Sequence, residues 1–158
     1  MGATHQQRVQ RDLVGTVIDE VSFEVERGKI REFARATFTT DPVHTDRAAA
    51  AATGAKDVLA TATHVVVAGH HRDQRAFVDR LGLALERVVV GGVRWTYARA
   101  LEAGDSLHGV RRVTGDVERE SSRGGRMRVI TLETEYVDAA GRPSVHVEET
   151  IIERGASG

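Results

Sequence analysis

Residues 21–26, VSFEVE, alternate apolar and polar positions with β-branched and aromatic side chains, the period-two pattern of a half-buried strand. The period then changes. In ERGKIREFARATF, Ile30, Phe33, Ala34 and Thr37 recur at helical spacing while Lys29, Arg31 and Glu32 turn outward, which predicts an amphipathic helix. A second, shorter helix is predicted over about 46–53, because Thr45 or Asp46 can accept from the free amides of a first turn, Ala48 to Ala52 favour helix, and Gly54 suits a left-handed stop. The run DVLATATHVVVAGHH carries two signals. Val58, Leu59, Ala62, Val65, Val66 and Gly69 fit one helical face, whereas three consecutive valines suit a buried strand; its length favours a helix over 58–71. QRAFVDRLG (74–82) adds a turn or two of helix with Phe77, Val78 and Leu81 on one side.

After Gly82 the pattern becomes β. Segments 86–98, 105–120, 126–139 and 143–154 are rich in valine, isoleucine, threonine and aromatic residues, and LEAG, SSRGG and DAAGR separate them with the glycines and short polar residues of hairpin loops. One strand, a helical block and a four-strand meander make an α+β domain whose curved sheet must bury its apolar face against a helix, with 58–71 as the expected central one. Residues 1–12 and 155–158 are polar and aperiodic and are read as flexible tails flanking a single domain over 13–154.

Composition narrows the functional classes. A chain of 158 residues, 41% hydrophobic and 28% charged, suits one modest core. Net charge is −1 and no basic stripe alternates with aromatics, so neither nucleic acid nor an anionic membrane is an expected partner. There is no cysteine, hence no disulfide, thiolate nucleophile or cysteine-based metal site. His70 and His71 are adjacent without a third ligand at metal-site spacing, so no metal is expected. The N-terminus lacks a signal-peptide core and no apolar run reaches membrane-spanning length, giving a cytoplasmic expectation.

The candidate chemistry lies in TTDPVHTDRAAAAATG, residues 39–54, where one proline, one histidine and two acids precede five alanines. Taken alone, His44 reads as a polar loop residue, Asp46 as a helix cap and Asp41-Pro42 as a turn pair. In its setting the stretch says more. DPVHTD after a strand and helix, then the alanine-rich turn and apolar segment, then RWTYARALEAGDSLHGVRRV with AGDSL at 103–107, resembles the MaoC-like hotdog dehydratases and (R)-specific enoyl-thioester hydratases over roughly residues 13–154.

That resemblance implies a hotdog fold, a curved antiparallel sheet wrapped around a central helix. It also implies a dimer with the site at the interface, an acyl thioester of coenzyme A or a carrier protein as substrate, and no cofactor. The family's site motif is D-x-N-P-x-H-x-D, with its first aspartate and histidine as the catalytic pair. Here His44 takes the histidine position, Pro42 the proline, Asp46 the trailing aspartate and Asp41 the asparagine, while the catalytic-aspartate position is Thr39. Backbone amides at Thr61 and Ala62 stand where the family holds the thioester oxygen, without the His-Gly pair often found there.

A threonine hydroxyl is far too weakly acidic to act as a base near neutral pH. Three readings follow. Asp41 supplies the carboxylate from a remodelled loop. Alternatively, the chain is the substrate-shaping subunit of a heterodimeric dehydratase, similar to the small subunits of mycobacterial-type hydroxyacyl dehydratases. In the third reading, it is a homodimer that binds a thioester or another ligand without this chemistry. Thioester hydrolysis is disfavoured because 58–71 carries no acid. Whether the chain is itself an enzyme turns on Thr39.

His64 is expected to be a hydrogen-bonded core or interface histidine. Trp95 and Tyr97 share one strand face as core residues, Gly91-Gly92 mark a bulge or close backbone approach, and Asp105 fixes a turn. The arginine-rich loop SSRGGRMR reads as a solvated hairpin that can also attract phosphates or an acidic carrier protein.

Overall fold

The computed structural model describes residues 13–120 and 125–155. The expected tails at 1–12 and 156–158, and 121–124 of the arginine-rich loop, lie outside the described residues. Five strands, β1 (Val17–Glu24), β2 (Val88–Tyr97), β3 (Ser106–Glu120), β4 (Arg126–Asp138) and β5 (Pro143–Arg154), form one antiparallel sheet in the order β1-β3-β4-β5-β2. Helices α1 (Arg27–Ala36), α2 (Arg47–Ala52) and α3 (Gln74–Leu81) follow the predicted spans closely. Among the described residues no helix is long and apolar enough to cross a membrane.

Two element expectations fail. The first strand runs Val17–Glu24 rather than over 21–26, and the expected central helix does not form. Residues 58–71 are not a continuous helix: Val58 to Ala60 run extended, with Ala60 N–H donating to Leu101 O (2.8 Å) and Ala103 N–H to Val58 O (3.0 Å), and only His64–His71 coil, as a 3₁₀ helix. Threonines and β-branched valines favour helix weakly, and the bonds to Leu101 and Ala103 give Val58 and Ala60 an extended alternative. The buried face accordingly shifts to His64, Val65, Val67 and Ala68, while Val66 turns to solvent.

Two apolar clusters fill the concave side of the sheet. Val21, Phe23, Ile30, Val58, Val65, Leu107, Tyr136, Val145 and neighbours form one, and Ile18, Phe77, Leu81, Val113, Ile130, Leu132 and Ile151 form the other, beneath α3. Each such side chain fully removed from water contributes about 1.5–3 kcal/mol. Between them, at the rung where Arg111 faces Thr134, lies a charged layer. Asp19 binds both Arg72 and Arg111, Arg72 donates to the Tyr136 hydroxyl (2.8 Å), and the Arg111 guanidinium covers the Phe77 ring at 4.3 Å.

The glycine pair behaves as read. The β2–β5 register shifts between Val90 and Gly92, and a Cβ at Gly91 would lie 2.8 Å from Ile152 Cδ1, so a larger residue there would push the Ile152 side chain aside. Trp95 and Tyr97 pack on the first cluster, and Asp105 accepts from Glu102 N–H (2.9 Å) and both Arg99 amino groups, fixing its turn.

Candidate active site

Proline at the first position and an Asp41 side chain accepting from Val43 N–H (3.1 Å) start a single 3₁₀ turn, Pro42–His44. The Pro42 carbonyl then takes the amides of Thr45 (3.0 Å) and Asp46 (2.7 Å), and Asp46 caps α2 by accepting from Ala48 N–H (2.8 Å). Sequence chemistry alone therefore fixes where His44 leaves the backbone.

Its orientation comes from elsewhere in the chain. The ring Nδ1 lies 2.7 Å from the Leu59 carbonyl oxygen. A carbonyl only accepts, so Nδ1 carries a proton, and in the neutral ring the lone pair is on Nε2. Leu59 is held in turn, because its N–H donates to Val43 O (2.9 Å). The extended segment that replaces the first turns of the expected helix is thus the part that aims the histidine.

Asp41 and His44 flank the same turn without a side-chain bond between them, since one Asp41 oxygen is engaged by Val43 N–H. Thr39 pairs its hydroxyl with that of Thr37 at 3.0 Å. Thr61 is buried with its hydroxyl unpartnered, and Ala62 is exposed with its carbonyl accepting from Tyr97. Among the described residues, the amides of Thr61, Ala62 and Thr63 have no protein acceptor, so they remain available as donors beside the segment that holds His44.

His64 is in the core but lacks the expected hydrogen bond: it is fully buried, both ring nitrogens are unpartnered, and its ring meets Phe33 edge-on at 5.6 Å. Burial, aided by the Lys29 charge, pushes the imidazole down to about 4 from its ordinary 6.5. Above the ordinary value both folded and unfolded chains hold it neutral, and no pH dependence arises. Below it the unfolded chain binds the proton first, so stability falls as pH drops from 6.5 to about 4 and levels off beneath. The loss is about 3 kcal/mol. Urea unfolding at pH 7, 5.5 and 4 should show it in the wild type and not in His64→Leu; equal pH slopes in both would refute this.

The backbone carbonyl of Leu59 and the orphaned polar atoms of Thr61 and His64 were not legible as site features. The signal that existed was polar residues interrupting an apolar run.

Residues 12–147 match the family described as FAS1-like, dehydratase domain region. A UPF0336 protein of Leifsonia xyli subsp. xyli is 37% identical over 132 residues, covering 83% of this chain and 85% of that protein. Among solved structures, a C-terminally truncated HadBC complex from Mycobacterium tuberculosis, described as a 3R-hydroxyacyl-ACP dehydratase, aligns with a TM-score of 0.75 at 23% identity, over 89% of this chain and 97% of that one. An (R)-hydratase from A. caviae involved in PHA biosynthesis aligns with a TM-score of 0.63 at 21% identity, over 90% and 97%. The fold is the hotdog, as the resemblance implied.

Proposed function

The chain belongs to the FAS1-like dehydratase domain family, and from that premise we propose that it is a hydroxyacyl-thioester dehydratase or enoyl-thioester hydratase component of fatty-acid or polyketide-type acyl metabolism. The observation that carries this is the poised His44, with Nδ1–H held by Leu59 O and Nε2 free. In the hydration direction Nε2 takes a proton from water as the water oxygen bonds to C3 of the enoyl group, and the imidazolium so formed gives that proton to C2, which leaves the ring neutral again. The amides near Thr61 and Ala62 hold the charge that develops on the thioester oxygen. The substrate brings its own activation as a coenzyme A or carrier thioester, so the step needs no cofactor.

A second reading is favoured by Asp41, whose carboxylate caps the His44 turn, and by the hydroxyl at Thr39. Here the carboxylate comes from a second hotdog subunit and this chain shapes the acyl site. Both readings use a dimer. Strand β2 has one neighbour, β5, and its open edge exposes Val89, Val90 and Val93, an apolar edge that a second subunit would cover.

The test is hydration of crotonyl-CoA, followed by loss of enoyl absorbance, with the purified chain alone and then mixed with a hotdog subunit bearing an intact D-x-N-P-x-H motif. Turnover by the chain alone supports the first reading, turnover only in the mixture the second. Release of free coenzyme A would replace both with thioester hydrolysis.

A further inference from the structure

Helix α1 carries Arg27, Lys29, Arg31 and Arg35 against one acid, Glu32, in a chain whose overall charge is −1. Lys29 pairs with Glu32 and Arg27 with Asp57, which Arg47 of α2 also approaches at 3.6 Å. Arg31 and Arg35 are exposed and have no partner among the described residues. Positions 27, 31 and 35 lie on one helical ridge. It runs to Phe38, whose side chain is 90% exposed.

Phe38 is unfavourable twice over. Its φ is 56°, in the left-handed region, because Phe38 N–H donates to Arg35 O (3.2 Å) and Thr39 N–H to Ala34 O (2.9 Å), a helix-ending motif that normally takes glycine. Among the described residues its ring buries too little surface to offset this. Strain and exposure together at one aromatic residue suggest a contact made outside the described chain. The position is telling, since α1 and α2, which bear these cations, both pack on the Pro42–His44 turn.

We propose that Arg31, Arg35 and Phe38, with Arg27 and Arg47 beside them, dock an acidic carrier protein that presents the acyl thioester on a flexible arm. This rests on the thioester reading above. Charge complementarity selects the occupant: an anionic surface meets two unpaired guanidiniums, and an apolar socket takes the ring. A ridge about 10 Å long on the outside of a helix is convex, whereas nucleotide sites are concave. A hollow of about 260 Å³ between His108, Glu133, Glu135 and His146 lies on the sheet, not on α1.

The test uses the full chain, with its partner subunit if activity requires one, and a crotonyl-loaded acidic bacterial acyl carrier protein. Carrier binding is measured by calorimetry at low salt, and kcat/KM is compared for crotonyl groups on the carrier and on coenzyme A. Arg31→Glu with Arg35→Glu should weaken carrier binding and lower kcat/KM on the carrier about tenfold or more, leaving crotonyl-CoA within about twofold. Phe38→Gly should raise Tm by about 2–4 °C yet weaken carrier binding.

Equal losses on both thioesters would assign the ridge to the nucleotide end of coenzyme A, and dissociation of the dimer would assign it to a subunit contact; either overturns the proposal. So does turnover of crotonyl-CoA by a wild type that binds no carrier, although the dehydratase reading then survives. Carrier binding abolished by the double substitution, in a protein that turns over neither thioester, keeps the docking surface and removes the dehydratase reading.

Discussion

His44→Ala is expected to lower kcat for crotonyl-CoA hydration, in whichever assembly is active, by about 10³-fold while changing Tm little. A positioned general acid–base contributes roughly 10²–10⁴. The imidazole is half-buried on a one-turn element, and its single bond to Leu59 O contributes about 1 kcal/mol to stability. A large loss of rate with a small loss of stability separates a proton-transfer role from a structural one. Asp41→Asn completes the comparison, since an amide oxygen still caps Val43 N–H but carries no charge. A loss as deep as that of His44→Ala would make Asp41 the carboxylate. Retained activity would place the carboxylate on the partner. Full activity in His44→Ala would remove His44 from the chemistry altogether.

The second large effect concerns stability. Asp19→Ala should cost about 3–5 kcal/mol, because it leaves Arg72 and Arg111, both nearly inaccessible to solvent, without the carboxylate that joins them. Glu149, at 3.5 Å from Arg111, offsets only part of this. The two guanidiniums are only 5% and 6% exposed, so with Asp19 gone they stay largely desolvated. Urea unfolding followed by tryptophan fluorescence measures the difference. A change under 1 kcal/mol would mean that the layer is open to solvent.

The strands and three helices were legible because each repeats one local signal often enough to fix its period, and because Asp46 stands where a cap belongs. The Pro42–His44 turn was legible for the same reason, since its proline and the aspartate before it act on neighbouring backbone. The segment 58–71 was misread because an apolar run of this length fits an α-helix as well as an extended stretch followed by a 3₁₀ helix, and the two differ in what they bury, Ala62 and Val66 in the first, Val67 and Ala68 in the second. What decides between them is bonding to Leu101 and Ala103, some 40 positions away. The orientation of His44 was hidden for another reason, since its partner 15 positions on is a main-chain oxygen that any residue at position 59 would present. The ion pairs of Asp19 could not be read either, because they join side chains from β1, β3 and the end of the 3₁₀ helix.

The strand order has a consequence for how the molecule is made. Ser22 and its cross-strand neighbour His108 are 86 residues apart, and β2 pairs with β5, the last strand of all. Both outer strands are therefore synthesised before either has a template, and the first pair that can form is β1 with β3, once Ser106–Glu120 has been made. At ribosomal rates of about 5–20 residues per second, β1 emerges roughly 4–17 s ahead of β3, with Val21 and Phe23 uncovered. Nascent chains stalled before Ser106 should bind chaperones and yield to proteases, and that protection should arrive in one step as the final hairpins leave the exit tunnel.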